Sequence, residues 1–134
     1  MTDFSVRVYI INMEISEDRR KHMISEMKKY DFISFEIVTG VDGNCITDEY
    51  KDMINKHRNT VYSETKTELK KGQIGCFLSH VKVYKQFISS GSHYAIVFED
   101  DVCLKSTFNE FINVITKLRH FDKHFDYLKL EPNI

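Results

Sequence analysis

The feature of this sequence that most constrains its fold is an early run of β-forming residues, VRVYIIN at Val6–Asn12. The run would be buried on both faces, a pattern typical of central strands in parallel sheets. Parallel strands are joined by crossover connections, usually helices, which cover the two faces of the sheet. The run therefore predicts an α/β fold with Val6–Asn12 as an interior strand.

Helix and strand patterns alternate after this run. Ser16 is the predicted N-cap of a first helix, which places Met and Ile residues at helical spacing through Asp18–Tyr30. Ile33–Val38 alternates as a second strand, and the turn residues of Gly40–Gly43 end it. The order strand, helix, strand favours a parallel pair.

The middle of the chain is more polar and then becomes clearly helical. Residues 44–72 form an excursion that we expect to be partly loop, with a weak helical stripe over Tyr50–His57. The next helix should end at Ser90–Gly91 and be buried on two sides. Its main apolar stripe consists of Ile74, Phe77, Leu78, Val81, Tyr84 and Ile88, and its second side of Gly75, Cys76, Ser79 and Val83.

Three more elements are expected in the last third of the chain. Tyr94–Phe98 is a third strand, and Phe125–Leu130 is a fourth. Between them, Ser106 and Thr107 with Glu110 form a capping box for a helix that carries apolar residues at helical spacing. The whole pattern predicts a mostly parallel sheet with right-handed crossovers and helices on both faces.

Polar segments follow three of the predicted strands at the point where each strand ends. They are the turn after Asn12, the turn Gly40–Gly43 and the acids Glu99, Asp100 and Asp101. Ligands of such folds bind beyond the carboxyl ends of the strands. We therefore expect the functional site at this edge of the sheet.

The three adjacent acids call for an explanation of their own. Neighbouring carboxylates disfavour each other's ionised forms, so the cluster indicates either a bound cation or a solvated acidic turn. The acids lie too far before the predicted helix start near Thr107 to cap that helix, which favours the cation. Carboxylate oxygens suit Mg²⁺ or Mn²⁺, and these ions commonly bind the phosphates of a substrate as well.

Composition limits the classes of function. The length of 134 residues suits a single domain over residues 1–134, and Lys+Arg 19 against Asp+Glu 20 gives no reason to expect a nucleic acid partner. We find no apolar run of about 20 residues and no signal-peptide pattern at the start. Three cysteines without a C-x-x-C pair favour a reducing compartment, so we expect a cytoplasmic protein without a transmembrane segment.

Several other polar residues have both a functional and a structural interpretation. Asn12 and Arg19–Arg20 are placed to contact phosphate or nucleoside oxygens, but two arginines on a helix also suit a solvated surface. Asp42–Gly43 is a common turn pair. His80, next to Ser79, lies off the main apolar stripe and is either free to face a ligand or half-buried.

Two further groups of residues are weaker candidates. Cys76 is predicted to be a small core residue, since no basic partner adjoins it in the sequence. His120 and His124 are four residues apart and near Asp126, but they would form a metal site only on a rigid helix that the sequence does not clearly predict.

Five blocks of the sequence, in their order and spacing, resemble glycosyltransferase family 25, which includes bacterial lipooligosaccharide galactosyltransferases and procollagen galactosyltransferases. The blocks are VYIINMEISEDRRKHM, FEIVTGVDG, GQIGCFLSHVKVYKQFISSG, YAIVFEDDV and YLKLE, between Val6 and Glu131. The resemblance implies a GT-A-type, Rossmann-like fold and a UDP-hexose donor, UDP-galactose or UDP-glucose. It also implies transfer to a glycan or a hydroxylysine-type acceptor.

The resemblance also suggests roles for individual residues. A DxD-like motif falls on the three acids, with Glu99 and Asp101 as ligands of Mn²⁺ or Mg²⁺ and Asp100 toward the donor. The remaining donor-site positions are Asn12, Arg19, Asp42, Gly43, Ser79 and His80. The implied reaction is attack of an acceptor hydroxyl on the anomeric carbon with inversion, assisted by a general base. No residue here is assigned as that base, which we expect in a C-terminal half.

The sequence departs from the family in two ways. Gln73 stands where the family typically carries an acid, and members continue beyond YLKLE. We therefore expect a sheet truncated after its fourth strand, with self-association or a partner that supplies the missing half. The alternative is a non-catalytic nucleotide-sugar-binding or interaction module of the same descent. A phosphotransfer domain is disfavoured, because its acids would usually follow the first strand.

Overall fold

A computed structural model of the chain describes residues 6–30, 34–65, 70–105, 110 and 113. The chain divides into two compact units, of which Ser5–Cys103 contains the sheet and the other comprises Met1–Phe4 and Leu104–Ile134. The single domain over residues 1–134 stays a prediction. Across the described ranges, no helix has both the length and the apolar character that crossing a bilayer requires.

Three parallel strands and three helices make up the unit Ser5–Cys103 as far as it is described. In chain order they are β1 (Val6–Asn12), α1 (Glu17–Met27), β2 (Phe35–Thr39), α2 (Asp48–Thr65), α3 (Lys71–Ser90) and β3 (Tyr94–Glu99). The strand order is β2-β1-β3, and β1 pairs in parallel with both neighbours. The predicted α/β class, with Val6–Asn12 as the central strand, is confirmed.

The strand register brings the three predicted functional segments to one edge of the sheet. Asn12 lies opposite Thr39 of β2, and Ile11 lies opposite Glu99 of β3. The backbone N–H of Gly40 donates to the carbonyl of Asn12 at 2.9 Å, which continues the β1–β2 pairing into the following turn. Because all three strands are parallel, their carboxyl ends meet here.

Alternation along β1 sends its side chains to two apolar layers. On one face a buried cluster joins Tyr9, Val38 and Val83 of α3, and partly buried residues pack against it: Ile11, Phe87, Ala95 and Val97. On the other face Val8 and Ile10 are buried, as are Met23 and Met27 of α1, a helix that also contacts β1. Full burial of each such side chain contributes about 1.5–3 kcal/mol.

The first helix starts where the sequence predicts, but without a side-chain cap. Ser16 occupies the N-cap position, with Glu17 and Asp18 in the first turn, yet its hydroxyl makes no capping hydrogen bond. Its backbone carbonyl instead accepts hydrogen bonds from the N–H of Arg20 at 3.1 Å and from Asn12 Nδ2 at 3.0 Å. The start of α1 is thereby joined to the end of β1.

The long helix α3 packs through its second side together with Leu78 of the main apolar stripe. Its buried residues are Gly75, Leu78, Ser79 and Val83. The expectation that the main apolar stripe is buried is wrong for three of its members, since Phe77 is 48% exposed, Tyr84 40% and Ile88 77%. Gly75 and Ser79 let the helix backbone approach the turn after β2 closely, so this side packs inward. The predicted end at Gly91 is confirmed, with φ +71°.

The polar excursion contains more helix than the weak stripe indicated. α2 runs over Asp48–Thr65, with acidic residues in its first turn. Lys85 of α3 donates to Glu49 at 2.9 Å and lies over the Tyr50 ring at 5.8 Å from its centre. The hydrogen bond to Glu49 raises the pKa of Lys85. These contacts attach the start of α2 to α3.

Several predictions fall outside the described residues. They are the capping residues Ser106 and Thr107, most of the helix after them, the fourth strand Phe125–Leu130 and the group His120, His124 and Asp126. Residues 110 and 113 are helical.

The turn after β2 fits against the start of α3 through two glycines. A Cβ atom at Gly43 would overlap the backbone carbonyl of Lys71. A Cβ atom at Gly75 would lie 2.7 Å from the carbonyl oxygen of Val41 and 3.0 Å from the backbone nitrogen of Gly43. The two backbones are therefore close enough that both positions require glycine.

This close approach predicts that Gly43→Ala and Gly75→Ala destabilise the protein, whereas Gly72→Ala does not. The added methyl forces the turn away from α3, which should lower the free energy of unfolding by about 1–3 kcal/mol. Gly72 lies in the first turn of α3, and a Cβ atom added there would meet no other atom within 4 Å, so it is the matched control. Urea denaturation of the three variants measures the difference, and equal stability of all three would contradict the packing.

Candidate functional site

A cleft of about 350 Å³ opens at the carboxyl edge of the sheet. It is lined by the end of β1, the first helix α1, the turn after β2, the first turns of α3, and the end of β3 with the two acids that follow it. Eight of the nine predicted site residues line it, namely Arg19, Asp42, Gly43, Ser79, His80, Glu99, Asp100 and Asp101. The ninth, Asn12, is bonded to Asp100. The structure brings all nine together, and their roles in binding stay predictions.

Asp100 is the buried member of the acid triplet, and both of its oxygens have partners within the protein. Asn12 Nδ2 donates to Asp100 Oδ2 at 2.9 Å, and Arg19 Nη1 lies 3.4 Å from Oδ1. Asp100 is 8% exposed and Asn12 2%. A buried carboxylate is tolerated only with such partners. The turn after β3 is therefore fixed to the end of β1.

Asn12 is itself held by the start of α1. Its Nδ2 also donates to the carbonyl of Ser16 at 3.0 Å, and its Oδ1 accepts from Arg20 Nη1 at 2.9 Å. The two adjacent arginines thus differ in role, because Arg20 supports Asn12 while Arg19 lines the cleft with a side chain that is 62% exposed.

Glu99 contacts two side chains of α3. Its Oε1 lies 3.4 Å from His80 Nε2 and accepts a hydrogen bond from Cys76 Sγ at 3.5 Å. The prediction that Cys76 is a core residue is wrong, since it is exposed and lines the cleft. Gly75 and Ser79 contact the turn after β2, whereas Cys76, the residue after Gly75, contacts Glu99 at the cleft. The four-residue spacing of Cys76 and His80 was the signal that sequence reasoning missed.

Asp101 differs from both of its neighbours. It is exposed and lines the cleft. Its carboxylate forms no hydrogen bond or ion pair with any residue that the structure describes. Among the three acids, Asp101 is therefore the one whose carboxylate pairs with no side chain that the structure describes.

The turn after β2 is held rigidly beside the cleft. Ser79 Oγ accepts from the backbone N–H of Val41 at 2.8 Å and donates to the carbonyl of Gly75 at 2.7 Å. Asp42 Oδ1 accepts from the backbone N–H of Asn44 at 2.8 Å, which closes a local turn. Ser79 and Asp42 therefore position this segment as well as lining the cleft.

Positive groups lie at the same edge. Arg19 and Lys71 both line the cleft, and Lys71 is the first residue of α3, so the helix N-terminus also points its partial positive charge here. Lys71 was missed from the sequence because it stands in a stretch of charged residues. Gln73, the departure from the family pattern, accepts from the backbone N–H of Lys70 at 2.9 Å and so caps the helix start.

The chemistry of the donor set fits a hard divalent cation at Glu99 and Asp101. Both carboxylates line the cleft, whereas Asp100 is already paired with Asn12 and Arg19. Mg²⁺ and Mn²⁺ commonly use one or two carboxylates, with waters and substrate phosphates in the other positions. Two carboxylates in an open cleft meet that requirement.

Comparison with known proteins decides the family. The sequence model of the family described as Glycosyltransferase family 25 (LPS biosynthesis protein) matches residues 5–132. This chain belongs to glycosyltransferase family 25. The cleft of this family 25 chain lies at the carboxyl edge of a parallel sheet, where α/β folds bind their ligands.

Relatives of this family 25 chain include proteins named as enzymes and proteins named as inactive. Human Procollagen galactosyltransferase 2 is 30% identical over 105 residues, which cover 77% of this chain and 17% of that protein. Human Inactive glycosyltransferase 25 family member 3 is 31% identical over 106 residues, covering 75% of this chain and 17% of that protein. A Haemophilus influenzae protein named "Putative glycosyltransferase" is 29% identical over 125 residues, or 93% of this chain and 41% of that protein. The chain thus spans less than half the length of these relatives.

The thiol of Cys76 is held in its protonated form. Partial desolvation raises the pKa of Cys76, and the hydrogen bond and negative charge of Glu99 raise it further. Although the side chain is exposed, the walls of the cleft remove part of the water around its sulfur. The thiolate of Cys76 is therefore scarce at neutral pH in the absence of a ligand.

We expect iodoacetamide to alkylate Cys76 slowly at neutral pH. In the Cys45→Ser/Cys103→Ser chain, Cys76 is the remaining cysteine. Its alkylation rate should increase with pH, and the thiol pKa obtained from that increase should lie above the pKa of N-acetylcysteine amide. Glu99→Gln should lower this pKa, because it removes the charge that opposes thiolate formation. The rate is measured against pH by mass spectrometry. A pKa at or below that of the reference thiol would contradict the environment described for Cys76.

Proposed function

We propose that this family 25 chain binds a UDP-hexose, UDP-galactose or UDP-glucose, together with Mg²⁺ or Mn²⁺. The sugar would be transferred to a glycan, as in lipooligosaccharide biosynthesis, or to a hydroxylysine-type acceptor. The observation that carries the proposal is one cleft lined both by the carboxylates of Glu99 and Asp101 and by the basic side chains of Arg19 and Lys71. The donor class and the metal are expectations from the family, and the geometry of this edge supports them.

The positive groups of the cleft support an anionic ligand. Arg19 presents an exposed guanidinium, Lys71 an ammonium, and α3 its N-terminus. Diphosphates bind to such combinations of cationic side chains and helix N-termini. Arg19 is also the ion-pair partner of Asp100, so a phosphate that contacts Arg19 would lie close to the acids.

The negative groups of the cleft support a metal ion. Four carboxylates line it, those of Asp42, Glu99, Asp100 and Asp101, against two basic side chains. A diphosphate would be repelled from this surface unless a cation neutralised part of the charge. Glu99 and Asp101 are the residues that would hold that cation, and Asp100 would fix the turn between them.

The residues of this chain would bind and orient the donor. A bound divalent cation would stabilise the negative charge that develops on the departing UDP. Arg19 and Lys71 would hold the phosphates, and the glycine-dependent turn at Gly43 would shape the wall beside the nucleotide. The acceptor hydroxyl needs a general base, and the family expectation of a base in a C-terminal half remains a prediction.

A second candidate is a binding module that does not catalyse transfer. Human Inactive glycosyltransferase 25 family member 3, a relative at 31% identity, is an observation in its favour. Turnover of UDP-galactose or UDP-glucose separates the two candidates, because both bind UDP and only the enzyme releases the sugar. Contacts to an acceptor, from a C-terminal half, a second copy or a partner, belong to the transferase candidate alone.

The compartment is also a proposal. Cys45, Cys76 and Cys103 are all free thiols. Three free, exposed thiols suit a reducing compartment such as the cytoplasm.

We expect UDP to raise the melting temperature of this chain only when Mn²⁺ or Mg²⁺ is present. A ligand at 100 times its Kd stabilises the folded state by about 2.7 kcal/mol, which a thermal shift readily detects. Asp101→Ala should abolish the shift, because it removes the free carboxylate of the cleft.

Asp52→Ala is the matched control, since Asp52 is an exposed aspartate on α2 that does not line the cleft. It should leave the UDP-dependent shift unchanged. A UDP shift that survives both EDTA and Asp101→Ala would refute the role of the metal.

A further inference from the structure

We propose that Cys76, His80 and Glu99 form a binding site for Zn²⁺. The donors of this site are a thiolate, an imidazole and a carboxylate, a set that differs from the two carboxylates suited to Mg²⁺ or Mn²⁺. One ligand atom from each of the three residues lies within 4.8 Å of the others. Soft and borderline ligands of this kind select Zn²⁺ over Mg²⁺.

Two of the three distances within the cluster suit a tetrahedral ion. Zinc lies at about 2.3 Å from sulfur and about 2.0–2.2 Å from nitrogen and oxygen, so neighbouring ligands are about 3.4 Å (N to O) and about 3.6 Å (S to O) apart. In this protein the N–O distance is 3.4 Å and the S–O distance is 3.5 Å. The N–O distance is long for a hydrogen bond, which is typically about 2.9 Å, but it suits two ligands of one ion.

The three side chains are supported by rigid elements. Cys76 and His80 are four residues apart on α3, so both project from the same face of one helix. The ring of His80 packs near that of Tyr84, with 6.1 Å between their centres. Glu99 is the last residue of β3, and the next residue, Asp100, is bonded to Asn12. Side-chain rotation alone can therefore complete the site.

Binding of Zn²⁺ at this site would release one proton, that of the Cys76 thiol. The Cys76 thiol releases its proton to solvent as the sulfur lone pair binds the ion, and neutral His80 and ionised Glu99 bind without further proton loss. Three protein ligands leave a fourth position open toward the cleft, as in zinc sites that bind water or a substrate atom.

Zinc and the donor metal would both use Glu99. We therefore expect Zn²⁺ to oppose metal-dependent binding of UDP, and this consequence rests on the proposed function. The binding of Zn²⁺ itself does not depend on it, so the test uses the metal alone.

The experiment uses Co²⁺ as a spectroscopic substitute in the full chain carrying Cys45→Ser/Cys103→Ser. This background matters because Cys103 Sγ lies 3.8 Å from His22 Nε2 and could supply a competing thiolate. We expect one equivalent of Co²⁺ to give a near-ultraviolet thiolate-to-cobalt band, which Zn²⁺ then displaces. Adding Cys76→Ser should abolish the band.

His80→Ala and Glu99→Gln should each raise the Kd for Zn²⁺ at least about tenfold, since loss of even an indirect partner of a ligand costs that much. Asp52→Ala should leave it unchanged, and circular dichroism verifies folding of each variant. A folded background chain without the cobalt band, or a Zn²⁺ affinity that His80→Ala and Glu99→Gln do not change, would overturn the site. Co²⁺ binding in a chain that fails to bind UDP would support the site while refuting the proposed function.

Discussion

The hydrogen bond between Asn12 and Asp100 is the interaction on which the rest of the site depends. It joins the ends of β1 and β3 at 2.9 Å, and both residues are almost fully buried. Asn12 also bonds the carbonyl of Ser16 and the side chain of Arg20, so the start of α1 belongs to the same network. A buried polar network of this kind stabilises the fold only when each member has its partners. Its consequence is that Asp100 is used inside the protein, while Glu99 and Asp101 face the cleft.

The sequence predicts the parts of this structure that depend on local patterns. The apolar run of β1 indicates a central parallel strand, Gly91 marks the end of α3, and parallel pairing places the three polar segments at one edge. Each follows from side-chain periodicity or backbone geometry within a short segment. The chain direction of the strands then determines where the site lies.

The parts that the sequence does not predict depend on contacts between distant segments. Periodicity indicates two apolar sides of α3 but not which of them packs, since that depends on how closely Gly75 and Gly43 bring the two backbones together. Likewise, three adjacent acids have the same pattern but three environments. Asp100 is paired, Glu99 contacts α3, and Asp101 is exposed, because partners that are up to 88 residues away in the chain distinguish them.

One edge of the sheet thus carries two groups of possible metal ligands that share Glu99. The carboxylates of Glu99 and Asp101 suit a hard cation beside a diphosphate, and the group of Glu99 with Cys76 and His80 suits zinc. Family 25 includes relatives named as transferases and relatives named as inactive. Because the two groups share Glu99, zinc bound to Glu99 would compete with the cation that the proposed binding of a nucleotide-sugar requires.

The most direct test is a crystal structure of the chain with UDP and Mn²⁺, in which anomalous scattering locates the manganese. The account predicts an anomalous peak bonded to carboxylate oxygens of Glu99 and Asp101, with the diphosphate of UDP on the ion and near Arg19 and Lys71. Manganese bound away from both carboxylates, or UDP bound with its phosphates outside this cleft, would contradict it.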